Sequence, residues 1–471
     1  MLCNPQRSGF ALLGSILSVA IFFTTILQTD VFAVRHLKNK NEMKGSILFL
    51  LTFFLFSCAQ HNKKTIADHS SIEKILQALL QKGEYFKLKK VLQENQPTLA
   101  ADKLQFYQAF TESAFNHYSK SISLSESLIK RSNSSIQDSA RVNLLLLLRD
   151  NYFKTYQYKK AAETGQDILT NYKAILGDRL HDIQNSLIIH EGLKDIPPQQ
   201  IGLKKISLKW KRNRLGLIEI PIKTTTSTLG IVFDTRAHIS TVTQSFAKKL
   251  GLRILNVSFE ESSGVTGIKF KSGLGVADSL YLGDMLIQHA VFQVLPDEQL
   301  YFPSINYTLD GILGFQVITQ LNEVQIYRGG DFIISPISTP NNLNNLAFDG
   351  STTLISVIQG SDTISFHFDT GATGSEFYSN YFDRYKSGII KNGKPDTVET
   401  GGVGGSVKTL DYILPVVNFK IGEKNIELKD VAVHTAPTFK GQKYNGNIGQ
   451  DVIRQFDEMI LNFDSMYLLF K

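Results

Sequence analysis

The chain has 471 residues, 42% of them apolar and 20% charged, with a formal net charge of +7. Such a length holds several packed cores, so more than one domain is expected. Its only cysteines are Cys3 and Cys58, which excludes disulfides from everything beyond residue 58, and the modest positive balance points to no nucleic-acid binding.

Two apolar stretches open the chain. Phe10–Leu27 is broken by small and polar residues; Ile47–Phe56 follows Met43-Lys44 and ends in Leu55-Phe56-Ser57-Cys58. A basic start, a short apolar core and a small residue before cysteine resemble a bacterial lipoprotein signal. That resemblance implies cleavage ahead of Cys58 and lipidation of Cys58, with Met43 as the start and residues 1–58 as an upstream extension plus signal. Phe56 departs from the usual small or β-branched residue. The expected location is the bacterial cell envelope, with the protein held to the membrane through Cys58. Ala59-Gln60 places no aspartate beside it, which in enteric bacteria favours the outer membrane. The alternative is a membrane anchor at Phe10–Leu27.

Residues 59–200 form the next expected domain, and it is α-helical. Ser70-Ser71-Ile72-Glu73 reads as a capping box, and Ile72, Ile75, Leu76, Leu79 and Leu80 make a helical stripe. Further helices are expected over 101–116, 118–131, 136–155 and 158–172. Leu148, Tyr152, Ala161 and Ala162 fall at spacings that loosely resemble a tetratricopeptide helix pair. Stacked pairs of that kind offer a groove to a protein partner; the plainer reading is a helical spacer. Asp195-Ile196-Pro197-Pro198-Gln199-Gln200 reads as a linker.

From residue 201 the pattern becomes strand-rich and repeats itself. Ile231-Val232-Phe233-Asp234-Thr235-Arg236-Ala237 is echoed, 135 residues on, by Phe366-His367-Phe368-Asp369-Thr370-Gly371-Ala372. Gly311 and Gly314 recur at the same offset as Gly446 and Gly449. Between them, Gly264-Val265-Thr266-Gly267 is answered by Gly402-Val403-Gly404-Gly405 at an offset of 138. The closing stretch Phe332-Ile333-Ile334 recurs as Tyr467-Leu468-Leu469, and these four landmarks in one order, over a period too long for a solenoid unit, predict two duplicated β lobes, 201–338 and 339–471. Leu217–Ile222 and Thr363–Phe368 alternate as half-buried strands do. Expected helices are few: Gln244–Leu250 and one starting in Gly449–Phe456.

This constellation resembles the retropepsin-like aspartic proteases, over about Ile206–Lys471. The resemblance implies a multidomain protein whose α-helical, tetratricopeptide-like part precedes an all-β, bilobal acid-protease fold of the single-chain, pepsin-like type. Asp234 and Asp369 would be its catalytic dyad, with Thr235 and Thr370 locking the two loops and Ala237, Gly371 and Ala372 supporting them. Gly264, Gly267, Gly402 and Gly405 would mark two flaps. Two carboxyls roughly 3 Å apart share one proton and activate a water against a peptide or protein substrate, without metal or cofactor. Alanines at 237 and 372 replace the Ser or Thr usual in pepsins. An activity optimum less acid than that of pepsin is therefore expected, and an optimum below about pH 3 would refute it.

The first motif departs from the pattern at Arg236. Its charge beside the dyad would favour double ionisation, and a doubly ionised dyad has no proton to give. Three readings stay open: Arg236 points to solvent, or it meets an acidic substrate group, or it leaves a catalytically silent module that only binds peptides. Other motifs fall short. Gly401–Gly405 lacks the Lys-Ser/Thr of a phosphate loop, His190-Glu191 lacks a second histidine, and nothing joins His238 as a metal ligand. Asp451, Asp457 and Asp464 read as surface or capping acids, and Lys204–Arg212 as a solvated basic run.

Overall fold

The computed structural model describes residues 71–131, 137–262, 267, 269–402, 405–439 and 441–471; the signal segment, Cys58, Ser70 and Gly264 lie outside them. Residues 71–81 are helical, followed by helices Tyr85–Asn95, Ala101–Ala114, Tyr118–Lys130, Asp138–Lys154, Tyr158–Asn171 and Leu180–Leu193. From Tyr85 onward each long helix packs on the next. The reversals at Asn116 and Tyr156 place those residues at positive φ, which ends one helix and turns the chain into another. Leu148, Tyr152 and Ala161 pack in one buried cluster. A buried polar chain ties three helices: Ser113 Oγ donates to Asn151 Oδ1 (2.7 Å), Asn151 Nδ2 to Ser121 Oγ (2.8 Å), and Ser121 Oγ to the Ala109 carbonyl.

The 195–200 segment is no free linker. Gln199 is buried, and its Nε2 donates to the Tyr156 hydroxyl (3.0 Å) and the Gln316 carbonyl (3.2 Å). Its amide satisfies groups on both sides of the junction, and burial holds it there. The helical region is therefore docked on the β region. Tyr156, Tyr158 and Leu193 share one core cluster with the β-region residues Phe259, Leu274, Val276 and Val291.

Beyond residue 200 the chain is largely β. One sheet of eleven strands contains, side by side, Ile218–Lys223, Thr228–Phe233, Gly311–Leu313, Ser240–Thr243, Ala290–Leu295, Lys269–Ala277 and Arg253–Ser262. A second, of eight strands, contains Thr352–Gln359, Asp362–Phe368, Gly446–Ile448, Glu376–Phe377, Lys424–Val433, Gly405–Ile421 and Lys394–Gly402. Both run in the same chain order. In each, the strand that ends at an aspartate pairs in parallel with a short strand from the distant glycine segment: Phe233 faces Leu313, and Phe368 faces Ile448. A five-stranded sheet joins the two halves through Glu323–Tyr327 against Glu458–Asn462. Buried aromatics fill the core, including Phe233 on Phe332 and Phe366 on Phe377.

Three helices, Tyr85–Asn95, Leu180–Leu193 and Ser379–Asn392, stand outside the expected set, and one expected helix is shorter. Ser379–Asn392 is a helix of 14 residues that the strand-rich reading passed over, although Tyr381, Phe382 and Ile389 mark its buried face. The helix placed in Gly449–Phe456 is a single turn, Gln450–Ile453. There the chain bends away to enter Glu458–Asn462, so packing overrides the local pattern.

Candidate active site

Each motif sits where its parallel strand pair ends. The Asp234 N–H donates to the Leu313 carbonyl (3.1 Å), and the Asp369 N–H to the Ile448 carbonyl (3.0 Å). One turn later the Phe315 N–H meets the Ala237 carbonyl (2.8 Å), and the Gln450 N–H the Ala372 carbonyl (3.0 Å). These approaches need glycine. A Cβ on Gly314 would lie 2.6 Å from the Ala237 carbonyl oxygen, and one on Gly449 2.7 Å from the Gly374 carbonyl carbon. Neither glycine has positive φ, so space rather than backbone conformation selects it.

The two threonines hold the loops to one another. The Thr235 N–H donates to Thr370 Oγ1 and the Thr370 N–H to Thr235 Oγ1, both at 3.1 Å. Thr235 Oγ1 then donates to the Phe368 carbonyl (2.8 Å) and Thr370 Oγ1 to the Phe233 carbonyl (2.6 Å). Both threonines are buried. Four reciprocal bonds in a dry setting leave little freedom for the strands that carry Asp234 and Asp369.

The two carboxyls lie within electrostatic reach of each other across this lock. A Cβ on Gly371 would overlap the Asp234 carboxyl, so the second loop lies directly against the first aspartate. Asp234 Oδ1 accepts from the N–H groups of Arg236 (2.8 Å) and Ala237 (3.1 Å). Asp369 Oδ1 accepts from the Gly371 N–H (2.9 Å). Its Oδ2 accepts from Asn447 Nδ2 (3.2 Å) and faces the Arg236 guanidinium at 3.7 Å. Burial, then the neighbouring Asp369, push the Asp234 carboxyl up to about 7, against the pull of the two N–H groups and the Arg236 cation. The arginine therefore does not strip the pair of its proton: desolvation and carboxylate repulsion outweigh it.

Arg236 takes the glycine position without backbone strain, since its φ is not positive. Its side chain turns inward rather than to solvent. It reaches the Tyr378 hydroxyl at 3.5 Å and stacks over the Phe439 ring at 5.7 Å. A planar cation held this way keeps an anion-facing edge beside Asp369.

Several contributors were missed in the sequence. Asn447 lies in the Asn-Ile-Gly segment, but its counterpart in the first half is Ile312, so the repeat hid it. Asp451 accepts from the Ser375 N–H (2.8 Å) and Oγ (2.6 Å), while Ser375 Oγ accepts from the Gly449 N–H (2.9 Å). It braces the Asp369 loop and is no surface acid. Asp457 and Asp464 do sit outside, on Arg328 and Ser338.

Two hairpins carry the other glycines. In the first, Arg253–Ser262 pairs with Lys269–Ala277; Gly267 at the turn has φ +68°, a conformation that glycine adopts without cost. In the second, Lys394–Gly402 pairs with Gly405–Ile421, and Gly402 faces Gly405 as the last described pair. A hollow of about 710 Å³ opens elsewhere, between Tyr85, Phe106 and Lys154 of the helices and the strand end Phe348-Asp349-Gly350; neither Asp234 nor Asp369 lines it. No protein-family model matches this chain, and no curated protein matches it at a significant level.

Proposed function

We propose that residues 201–471 are a duplicated, bilobal unit of the retropepsin-like type that hydrolyses peptide bonds between Asp234 and Asp369. The observation that supports this is the reciprocal Thr235–Thr370 lock between two loops that carry Asp234 and Asp369 at matched ends of matched strand pairs. One carboxylate removes a proton from a water, whose oxygen attacks the peptide carbonyl carbon. The protonated partner gives its proton to the carbonyl oxygen. The resulting gem-diol collapses as its C–N bond breaks, the amine leaves with a proton, and the products are a carboxylic acid and an amine. The raised titration at Asp234 keeps one proton on the pair up to near-neutral pH. Acid and base belong to the pair and are not assigned to single residues.

Cleavage of a peptide library by wild type, Asp369→Asn and Arg236→Gly tests the reading. Wild-type cleavage lost in Asp369→Asn supports it; cleavage unchanged in Asp369→Asn contradicts it. The second reading, a silent peptide-binding module, rests on the guanidinium 3.7 Å from Asp369 Oδ2, a site the incoming water would use. Activity that emerges only in Arg236→Gly would select it.

The anchor belongs to the same proposal. Lipidation of Cys58 would tether the unit to the bacterial envelope, at the outer membrane, and no described helix is long and apolar enough to cross a membrane. Radiolabelled palmitate incorporated by wild type but not by Cys58→Ala would support the tether. The docked helical region leaves a protein partner, beside the peptide substrate, as a further part of the proposal.

A further inference from the structure

The second hairpin changes character at Asp411. From Gly405 to Leu410 its inner strand is exposed, and Leu410 is 72% exposed; Asp411 is its first buried residue, and beyond it buried and exposed positions intermix. The neighbouring strand Lys424–Val433 accompanies it only as far as Tyr412, opposite Val433. Beyond that pair the arm, Asp396–Gly402 against Gly405–Leu410, has no third strand among the described residues, so Asp411 is its root.

His434 follows Val433 and grips that root. Its Nδ1 lies 2.8 Å from Asp411 Oδ2 and its Nε2 3.1 Å from Glu376 Oε2, with the ring 1% exposed. Ionised carboxylates only accept, so an imidazole facing one at each nitrogen must donate from both and carry a charge. Asp411 is held further by the Thr435 N–H (2.7 Å), the Thr435 hydroxyl and the Thr409 hydroxyl. Glu376 faces Asn447 in the sheet, and Asn447 donates to Asp369. The Arg236 cation lies within electrostatic reach of Glu376. Asp396 stands opposite Asp411 in the ladder but turns its carboxylate to the Thr397 N–H (2.7 Å). Among the described residues no cluster of this kind is placed to hold a metal ion.

We propose that His434 is a positioning residue, an imidazolium bolt that fixes the root of the second hairpin to the strand beside Asp369. This rests on the reading of that hairpin as the cover of the peptide cleft. Without the proton, one ring nitrogen would present a lone pair to a carboxylate, and the root would lose a charge-assisted bond. The bolt is complete below the ordinary histidine value of 6.5, because burial of His434 is outweighed by Glu376 and Asp411 and its titration is raised. It is lost as pH rises through that raised value. Asp411, held low by Thr409, Thr435 and His434 despite burial, keeps its charge on the acid side. The cover is therefore fixed in the range where Asp234 still holds its proton, and it loosens on the alkaline side.

The experiment is hydrogen exchange of the 396–402 and 405–410 amides in the full chain between pH 5 and 8.5, corrected for intrinsic rates, in wild type, His434→Gln and Glu376→Gln. Imidazole NMR titration of His434 runs beside it. The expected wild-type result is a histidine titrating above 6.5 and arm exchange that quickens about tenfold as it deprotonates, the effect of one charge-assisted bond. His434→Gln should show the quicker rate at every pH, and Glu376→Gln should lower the His434 titration by about one pH unit. A histidine that titrates at or below 6.5, or arm exchange identical in wild type and His434→Gln, overturns the bolt. In peptide cleavage, His434→Gln should raise KM more than it lowers kcat. Exchange reads the bolt whether or not the dyad cuts, so the two claims fail separately.

Discussion

Residue charges in the dyad make opposite demands on folding and chemistry. An unfolded aspartate loses its proton near 3.8, whereas folded Asp234 keeps it to about 7. Between those values the native state binds more protons than the unfolded chain, so Asp234 costs stability as pH rises through the window. Asp234→Asn should remove that cost. At pH 8 the variant should be more stable than wild type by on the order of 2 kcal/mol, and at pH 4 nearly equal, in urea melts across pH. Arg236 opposes the raised value through its cation. Arg236→Gly should therefore move the alkaline limb of any kcat/KM profile to higher pH, by up to about one unit, as measured with one peptide over pH 4–9. The sequence made the arginine visible but not its balance, because burial is a property of the fold and no spacing encodes it.

Elements convert those residues into a site through short, matched contacts. Thr235→Val keeps the shape of the side chain but leaves the Phe368 carbonyl and the Thr370 N–H buried without partners. A loss of about 2–4 kcal/mol is expected in equilibrium unfolding. Gly449→Ala would press a methyl into the Gly374 and Ala372 carbonyls, backbone that cannot step aside. It should cost at least as much or prevent folding, read as loss of the cooperative melt. These contacts were legible because two Asp-Thr motifs and two glycine segments stand at one offset. What the repeat did not share stayed hidden: Asn447 answers to Ile312, and His434 gains meaning only when Asp411 and Glu376 arrive from distant strands. The helix Ser379–Asn392 was missed although its aromatic stripe was present, since the surrounding strands set the expectation. Gln199 read as a linker residue because Pro197-Pro198 dominates locally, and its partners lie over 40 residues away at the nearest.

Across the whole molecule, the helical region is part of the machinery that shapes the first hairpin. Helix Leu180–Leu193 lies against the outer strand Arg253–Ser262. Asn185 gives its Nδ2 to the Glu260 carbonyl (2.7 Å) and takes the Glu260 N–H on Oδ1 (3.2 Å), as a neighbouring strand would. The strand edge is thus covered rather than left open to pairing. Asn185→Ala should quicken amide exchange at 258–260 by about tenfold while the second hairpin is unaffected, read by mass spectrometry. One hairpin is held by a helix and the other by a buried ion pair, so the two halves share a plan around Asp234 and Asp369 and differ in how their hairpins are fastened. Both devices serve the same end only if the paired carboxyls cut. The direct test is digestion of a peptide library at pH 5 in ¹⁸O-labelled water by wild type and Asp369→Asn. Wild type should place one ¹⁸O atom in each new carboxyl terminus, and Asp369→Asn should yield no such termini. Equal cleavage by the two proteins, or no wild-type cleavage at any pH from 3 to 8, would contradict the dyad.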